Sequence, residues 1–217
     1  MKNVWGSGTR CLAGSVPGVL VGLLLAAASF ADVIEVAVPG DAAGPDEVVA
    51  VLEETLIATM TASEALDFPE RREALRPVVE RALDVGRMSR LMFGRIWTGL
   101  PEAEQQRFEE ALLELSVANY AHHFVDHRGQ QFEQVESVQE NDRAQVRSHF
   151  QRPDLEPIVF EYTMHQTDAG WQVVNILTDG VSDLAVSRAR FTRLFERGGM
   201  DAVIEDIEQE IDELGQQ

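Results

Sequence analysis

Cysteine is almost absent from this 217-residue sequence, which contains only Cys11. The 186 residues that follow Ala31 contain none. In that part of the chain, structural disulfides, thiol catalysis and zinc sites with cysteine ligands are excluded. A single domain of this size must therefore be held together by its apolar core. Cys11 also precedes the tripeptide Leu-Ala-Gly instead of following it, so it is not a lipoprotein acylation site.

Basic residues are scarce, since 18 Lys and Arg stand against 37 Asp and Glu, for a net charge of −19. Removing residues 1–31 would remove two basic residues and no acidic ones, which lowers the charge to −21. Such a surface repels nucleic acid phosphates and anionic membranes at long range. We therefore expect no nucleic-acid partner. The acidic surface is either an ordinary solvated face or a means of steering towards a basic docking surface.

Apolar runs are too short to span a bilayer, which takes roughly 20 residues. The most apolar stretch, residues 19–30, follows the basic residues Lys2 and Arg10, and a run of about a dozen is typical of a secretory signal peptide. Ser29 and Ala31 are the small residues expected before a cleavage site. We predict that residues 1–31 are a signal peptide and that the protein functions outside the cytoplasm. Retention as an N-terminal anchor is the alternative.

Recognisable catalytic motifs are also missing, including G-x-S-x-G, a phosphate-binding glycine loop and H-E-x-x-H. His122, His123 and His127 are the best candidates, because His123 and His127 are four apart on one predicted helical face and could chelate a metal. A polar helix end is the interpretation that we favour. Asp179 and Asp183 flank a predicted turn and helix start, where Asp is common as a cap. We expect no catalytic residue, no metal and no cofactor.

The spacing of apolar residues divides the chain into a leader, helices and strands. Residues 32–45 are typical of a flexible leader. The next segment has helical period, with Glu47, Glu53 and Glu54 on the face opposite its apolar residues. The helical spacing of apolar residues, together with the residues that break helices, predicts six helices. They lie at residues 46–60, 69–83 with an interruption at Pro77, 85–97, 101–126, 181–196 and 201–214.

Four strands are predicted at residues 131–138, 144–150, 157–166 and 171–178, with tight turns at 141–142 and 167–170. The fourth is apolar on both faces, so both must be covered. Helices can cover one face, and either a ligand or a second packed layer the other. Helices, then four antiparallel strands, then helices predict one α+β domain over residues 46–217.

The order and spacing of several short motifs resemble those of the MlaC family of periplasmic phospholipid-binding proteins, also called the toluene-tolerance family. Each motif is weak by itself, and together they cover nearly all of residues 45–214. The matching segments are residues 83–84, 88–90, 93–97, 101–108, 119–121 with Gly129, 170–173, 179–182, 188–191 and 199–201.

Four positions depart from the family's motifs. Leu83 stands in place of Phe, Leu100 in place of a capping Ser, Asn119 in place of Thr, and His127 in place of Tyr. These changes affect packing and capping, so they cast little doubt on the fold. Residues 182–188 look closer to the family's hopanoid-associated, HpnM-like branch, which leaves open whether the lipid is a phospholipid or a hopanoid.

The resemblance implies a twisted four-stranded antiparallel sheet packed with six or seven helices around a deep apolar pocket. It also implies a monomeric, non-enzymatic carrier that holds phospholipid or hopanoid acyl chains in that pocket. Such a carrier moves lipid across the periplasm between an outer-membrane lipoprotein complex and an inner-membrane ABC transporter complex with its MCE-type subunit. The alternatives are a non-carrying adaptor between envelope complexes and a small-pocket enzyme that uses His122, His123 or His127.

Apolar period and motif position together select the candidate lipid-binding residues, some of which would equally serve as ordinary core. They are Leu91, Trp97, Phe108, Leu112, Leu115, Tyr120, Phe124, Val146, Phe160, Tyr162, Met164, Trp171 and Val173.

Overall fold

The computed structural model describes residues 38–40 and 43–216. The expected signal peptide, residues 1–31, and most of the expected leader, residues 32–45, lie outside the described residues. None of the helices within the described ranges is both long enough and apolar enough to cross a membrane.

The helices follow the predicted order, with shifts of a few residues at most ends. Their starts have clear local causes: Pro45 occupies the first turn of the first helix, and Asp67 forms a capping box with Glu70 at the second. Pro77 lies inside the second helix without ending it. The helices are α1 (Pro45–Thr61), α2 (Phe68–Ala82), α3 (Val85–Phe93), a 3-10 helix (Trp97–Gly99), α4 (Glu102–His123) and α5 (Asp183–Gly215).

The sheet has five antiparallel strands in the order β1-β2-β3-β4-β5, one more than the sequence predicted. The additional strand is β5, whose two residues pair with the end of β4. A two-residue strand has no alternation, so the sequence could not reveal it. The predicted turns are present, since Asn141 joins β1 to β2 and Thr167 faces Gly170 between β3 and β4. The strands are β1 (Gln131–Glu140), β2 (Arg143–Arg152), β3 (Leu155–Thr167), β4 (Gly170–Thr178) and β5 (Val181–Ser182).

Among the described residues there are five α-helices instead of the predicted six or seven, because residues 183–215 form a single helical element. That element nevertheless reverses direction at Gly199, whose φ of 69° and ψ of −160° are not helical. Arg190 pairs with both Asp206 and Glu210. In a straight helix these residues would be roughly 24 to 30 Å apart. The two arms of α5 therefore lie side by side.

A β-bulge explains why β4 is apolar at consecutive positions. Thr163 pairs with Asn175, whereas Met164 pairs with Val173, so Val174 is the extra residue. The bulge lets Val173 and Ile176 face the same side of the sheet although they are three residues apart. That side packs against the helices, and the core lies between them.

Candidate functional site

Six aromatic side chains gather where the C-terminal end of α4 meets the sheet. The ring centroid of Phe124 lies 5.9 Å from that of Phe132 and 5.5 Å from that of Phe150. Phe132 and Phe150, on neighbouring strands, are 4.7 Å apart. Such spacings are typical of packed aromatic pairs. We call this group the sheet cluster, and it comprises Tyr120, Phe124, Phe132, Phe150, Phe160 and Tyr162.

A second aromatic group is formed by residues of the helices. Phe108 of α4 is at the centre of this group. Its ring centroid lies 4.9 Å from that of Phe93 and 5.6 Å from that of Phe191. Phe108 and Phe191 are essentially inaccessible to solvent. We call this group the helix cluster, and it comprises Phe93, Trp97, Phe108, Phe191 and Phe195.

The structure brings together all but one of the candidate lipid-binding residues in one continuous core. Four belong to the sheet cluster and two to the helix cluster. The exception is Leu91, which is 42% exposed on α3 and is absent from that core. The remaining members lie in the core between the two clusters or beside them: Leu112, Leu115, Val146, Met164, Trp171 and Val173.

A cleft of about 410 Å³ opens between α1 and the edge strand β1. Its volume is within the range of about 300–1,000 Å³ that is usual for small-molecule sites. Phe132 contributes both to this cleft and to the sheet cluster, so the cleft borders the aromatic interior directly. The cleft is lined by Ala50, Glu53, Glu54, Ile57, Ala58, Gln131, Phe132 and Gln134.

Glu53 is the unexpected member of this cleft, because its carboxyl is buried and only 3% of the residue is exposed. Burial raises the pKa of Glu53 from 4.5 to about 7, and polar interactions with Ser148, Tyr162 and Gln134 oppose part of that rise. Oε1 of Glu53 and Oγ of Ser148 are both sealed from solvent. The cleft is therefore bordered by a buried carboxyl that interacts with groups of β1, β2 and β3.

The sequence interpretation placed Glu53 on the polar face of α1, and the structure shows that this was wrong. Glu53 lies four residues after Val49 and three before Leu56, and both of these are buried. Residues at these spacings share one face of a helix. The signal was present in the spacing, but a carboxylate on an apolar face is rare enough to be assigned to solvent by default.

The histidines do not assemble a site in the structure. Helix α4 ends at His123, so His123 and His127 do not share a helical face as the sequence suggested. His122 Nδ1 lies 3.0 Å from the carbonyl of Leu214, and His127 Nε2 lies 2.9 Å from the carbonyl of Gln130. No group of three or more potential metal-binding side chains occurs within the described part of the chain.

The two aspartates near β5 have local structural roles. Asp179 adopts a positive φ and accepts a hydrogen bond from the backbone of Val159 at 2.9 Å. The cap of α5 is Ser182, whose hydroxyl accepts from the backbone of Ala185. Asp183 lies in the first helical turn, where a negative charge is favourable.

A shallower depression of about 360 Å³ runs along the N-terminal arm of α5. Its lining includes Arg188 and Arg193, two of the few clustered basic residues of the sequence. All of its lining residues come from α5, so no second element faces them. The depression therefore lacks the opposing wall that the cleft beside β1 has.

The fold is shared with a solved structure of the phospholipid-binding protein from Ralstonia solanacearum in complex with a phospholipid. The two chains superpose with a TM-score of 0.70 at 18% sequence identity, over 79% of this chain and 99% of that one. At this identity the likeness shows the fold alone. No curated protein sequence matches this chain.

The sequence profile of the family described as MlaC protein matches residues 51–209. This range includes most of α1, the whole sheet and most of α5. It therefore contains both aromatic clusters and all of the cleft's lining residues except Ala50. Because the match spans well over half of the 217 residues, the chain belongs to the MlaC family.

Proposed function

We propose that this protein is a periplasmic, non-enzymatic carrier of phospholipid. The observation that carries the proposal is the cleft between α1 and β1, which opens directly onto the sheet cluster through Phe132. Family membership and the phospholipid held by the Ralstonia protein of the same fold support it. In this proposal the acyl chains occupy the apolar interior between sheet and helices, and the headgroup stays at the cleft.

The energetics of hydrocarbon in water explain why such a carrier needs a large apolar interior. Each buried CH₂ group gains about 0.8 kcal/mol, so two acyl chains represent tens of kcal/mol. The sheet cluster and the buried aliphatic residues around Val146 and Met164 offer a continuous apolar surface on which chains can lie. Accommodating them requires these side chains to separate and repack around the ligand.

The carrier's route is a further part of the proposal. We infer that the protein shuttles lipid between an outer-membrane lipoprotein complex and an inner-membrane ABC transporter complex, as a monomer that docks through its acidic surface. The net charge of −19 supports this part, since it disfavours adsorption to anionic bilayers and favours a basic docking partner. A hopanoid remains the alternative cargo to a phospholipid.

Native mass spectrometry of the purified protein, followed by extraction and identification of the lipid, tests the proposal. We expect one lipid per protein chain and, in the extract, phospholipid instead of hopanoid. Substitution Phe132→Asn, which places an amide between cleft and sheet cluster, should reduce the lipid-bound fraction. The matched control Leu91→Asn, at an exposed site outside the core, should not.

Two results would contradict the proposal. A protein that is repeatedly free of lipid and takes up none from added vesicles would favour the adaptor hypothesis instead. Equal loss of lipid in the Phe132 and Leu91 variants would show that the cleft and the sheet cluster are not the binding site.

A further inference from the structure

Seven of the chain's 18 basic residues lie in two short segments, although the protein as a whole is strongly acidic. The segments are residues 85–96, which comprise α3 and the turn after it, and residues 184–199, which comprise most of the N-terminal arm of α5. Together they contain seven arginines and only one of the chain's 37 acidic residues, Glu196. The charge of these two segments is therefore opposite in sign to that of the rest of the protein.

The two segments are neighbours in the folded protein. Their inner sides meet in the helix cluster, where the ring centroid of Phe93 lies 5.7 Å from that of Phe195. Because aromatic rings occupy the interior, the arginines lie on the outer sides of both segments, and most of them are exposed. We call this surface the basic face. It comprises Arg87, Arg90, Arg95, Arg188, Arg193 and Arg197, with the exposed apolar residues Leu91 and Val186.

Most of these arginines have no acidic partner of their own. Arg190, the seventh arginine, pairs with Asp206 and Glu210 of the C-terminal arm of α5. Arg90 interacts with the Glu109 carboxylate of α4. The remaining five form no ion pair within the part of the chain that the structure describes, and they are Arg87, Arg95, Arg188, Arg193 and Arg197. The basic face can therefore pair with carboxylates that another molecule supplies.

The basic face is better suited to a protein than to a bilayer. Helices that bind a bilayer surface bury an apolar face in it. The apolar sides of α3 and of this arm of α5 already pack in the helix cluster, so that Leu91 and Val186 are the large apolar side chains left exposed on the basic face. Arginine is enriched in protein–protein interfaces, and its guanidinium binds a carboxylate through two parallel hydrogen bonds. The surface that complements this face is one rich in Asp and Glu.

We propose that the basic face is a docking surface for an acidic protein partner. The inference goes beyond the proposed function and does not depend on the cargo. Both segments pack against α4, whereas the cleft lies between α1 and β1. A partner bound to the basic face therefore does not need to touch the residues that line the cleft. Together with the acidic remainder of the surface, the basic face gives the protein two docking surfaces of opposite charge.

Binding of poly-L-glutamate, a soluble mimic of an acidic protein surface, tests the inference. The fluorescently labelled polymer is titrated with the purified protein, and its anisotropy is recorded at about 0.01 M and about 0.1 M NaCl, where charges are screened over about 30 Å and about 10 Å. We expect the wild type to bind the polymer and to lose about tenfold or more in affinity at the higher salt concentration. The double variant Arg188→Glu with Arg193→Glu should bind about tenfold or more weakly than the wild type, because like charges then face the polymer.

The matched control is the double variant Arg128→Glu with Arg143→Glu, which makes the same change of net charge at two exposed positions outside the basic face. It should bind within about threefold of the wild type at about 0.1 M NaCl, because distant charges are screened there. If the basic-face variant fails to fold, as judged by circular dichroism, Arg95→Glu in the turn after α3 replaces it and should weaken binding several-fold. An unchanged affinity in whichever basic-face variant folds would overturn the inference, as would equal losses in that variant and the control.

Two further measurements would reveal a different occupant of the basic face. If the wild type co-sediments with phosphatidylglycerol vesicles and the basic-face variant does not, the face binds a bilayer and the inference fails. If sedimentation velocity at about 0.01 M NaCl shows a wild-type dimer that the basic-face variant loses, the face binds a second copy of this chain and the inference fails as well. We expect the wild type to remain monomeric and to stay in the supernatant when the vesicles are sedimented.

Discussion

Replacing Glu53 by Gln is the sharpest test of what the buried carboxyl does to the protein's own stability. The substitution keeps the shape of the side chain and removes its ability to ionise. Folding raises the pKa of Glu53 from 4.5 to about 7, mainly through burial. The groups that interact with this carboxyl are the Ser148 and Tyr162 hydroxyls, the Gln134 side chain and the Glu54 carboxylate.

The sign and size of the effect follow from that pKa. A carboxyl whose pKa is raised on folding binds its proton more tightly in the folded state, so stability falls as pH rises from about 4.5 to about 7. At about 1.4 kcal/mol per pKa unit, the full cost of ionisation is about 3 kcal/mol. We therefore expect Glu53→Gln to raise the free energy of unfolding by about 3 kcal/mol at pH 8 and by less than about 1 kcal/mol at pH 5.

Urea denaturation and thermal melts of lipid-free protein at pH 5 and pH 8 measure this difference. For a domain of this size, about 3 kcal/mol corresponds to a Tm increase of roughly 6–12 °C at pH 8. The exposed Glu64→Gln variant should change stability by less than about 0.5 kcal/mol at both pH values. If Glu53→Gln shifts stability equally at pH 5 and pH 8, the carboxyl does not titrate between them and the reasoning is refuted.

Four further substitutions test the framework around the site by chemical denaturation. Asp84→Ala removes both the cap of α3 and the 2.9 Å contact with His165, and should cost about 1–2 kcal/mol. Gly199→Ala should cost about 1–3 kcal/mol because its backbone lies in a region open only to glycine, although an added Cβ meets no atom within 4 Å. Phe108→Ala should cost about 3–5 kcal/mol, whereas Phe132→Ala, only partly buried, should cost less than about 2 kcal/mol and reduce lipid binding. If Phe132→Ala lowers the free energy of unfolding more than Phe108→Ala does, the helix cluster is not the main stabilising cluster and our assignment of the two clusters is wrong.

The local spacing of apolar residues and the positions of turn residues were sufficient to predict most helices and strands. Four strands, their two tight turns and the reversal after residue 196 all leave a periodic or compositional trace in the sequence. Strand β5 leaves none, since its two residues are defined only by pairing with Leu177 and Thr178 across the turn. The close pairing of the two arms of α5 likewise depends on contacts between residues 16 to 20 positions apart, such as Arg190 with Asp206 and Glu210.

The site was harder to predict than the fold, for a physical reason. The period of the apolar residues shows which side chains leave water. Phe124, Phe160 and Tyr162, which it selected as candidate lipid-binding residues, belong to the core or pack against it, and their contact with lipid stays a prediction. The period does not show where packing stops and a cleft begins, because a cleft depends on how two distant segments, α1 and β1, approach each other. Leu91 illustrates the limit, since its apolar character fits the helical stripe although its side chain is exposed.

The two aromatic clusters differ in a way that bears on how one domain can be both stable and able to admit a ligand. In the helix cluster, Phe108 and Phe191 are sealed from solvent and packed edge to face, so opening there would sacrifice tight packing on every side. In the sheet cluster, Phe132 and Phe160 are only partly buried, and Phe132 borders the cleft. Of the residues of β1, Phe132 is the one that packs against the core, so we expect separation of α1 from β1 to expose less apolar surface than opening of the helices. If the protein carries lipid as proposed, we therefore expect the entrance to lie at the cleft between α1 and β1 and the polar headgroup to remain there.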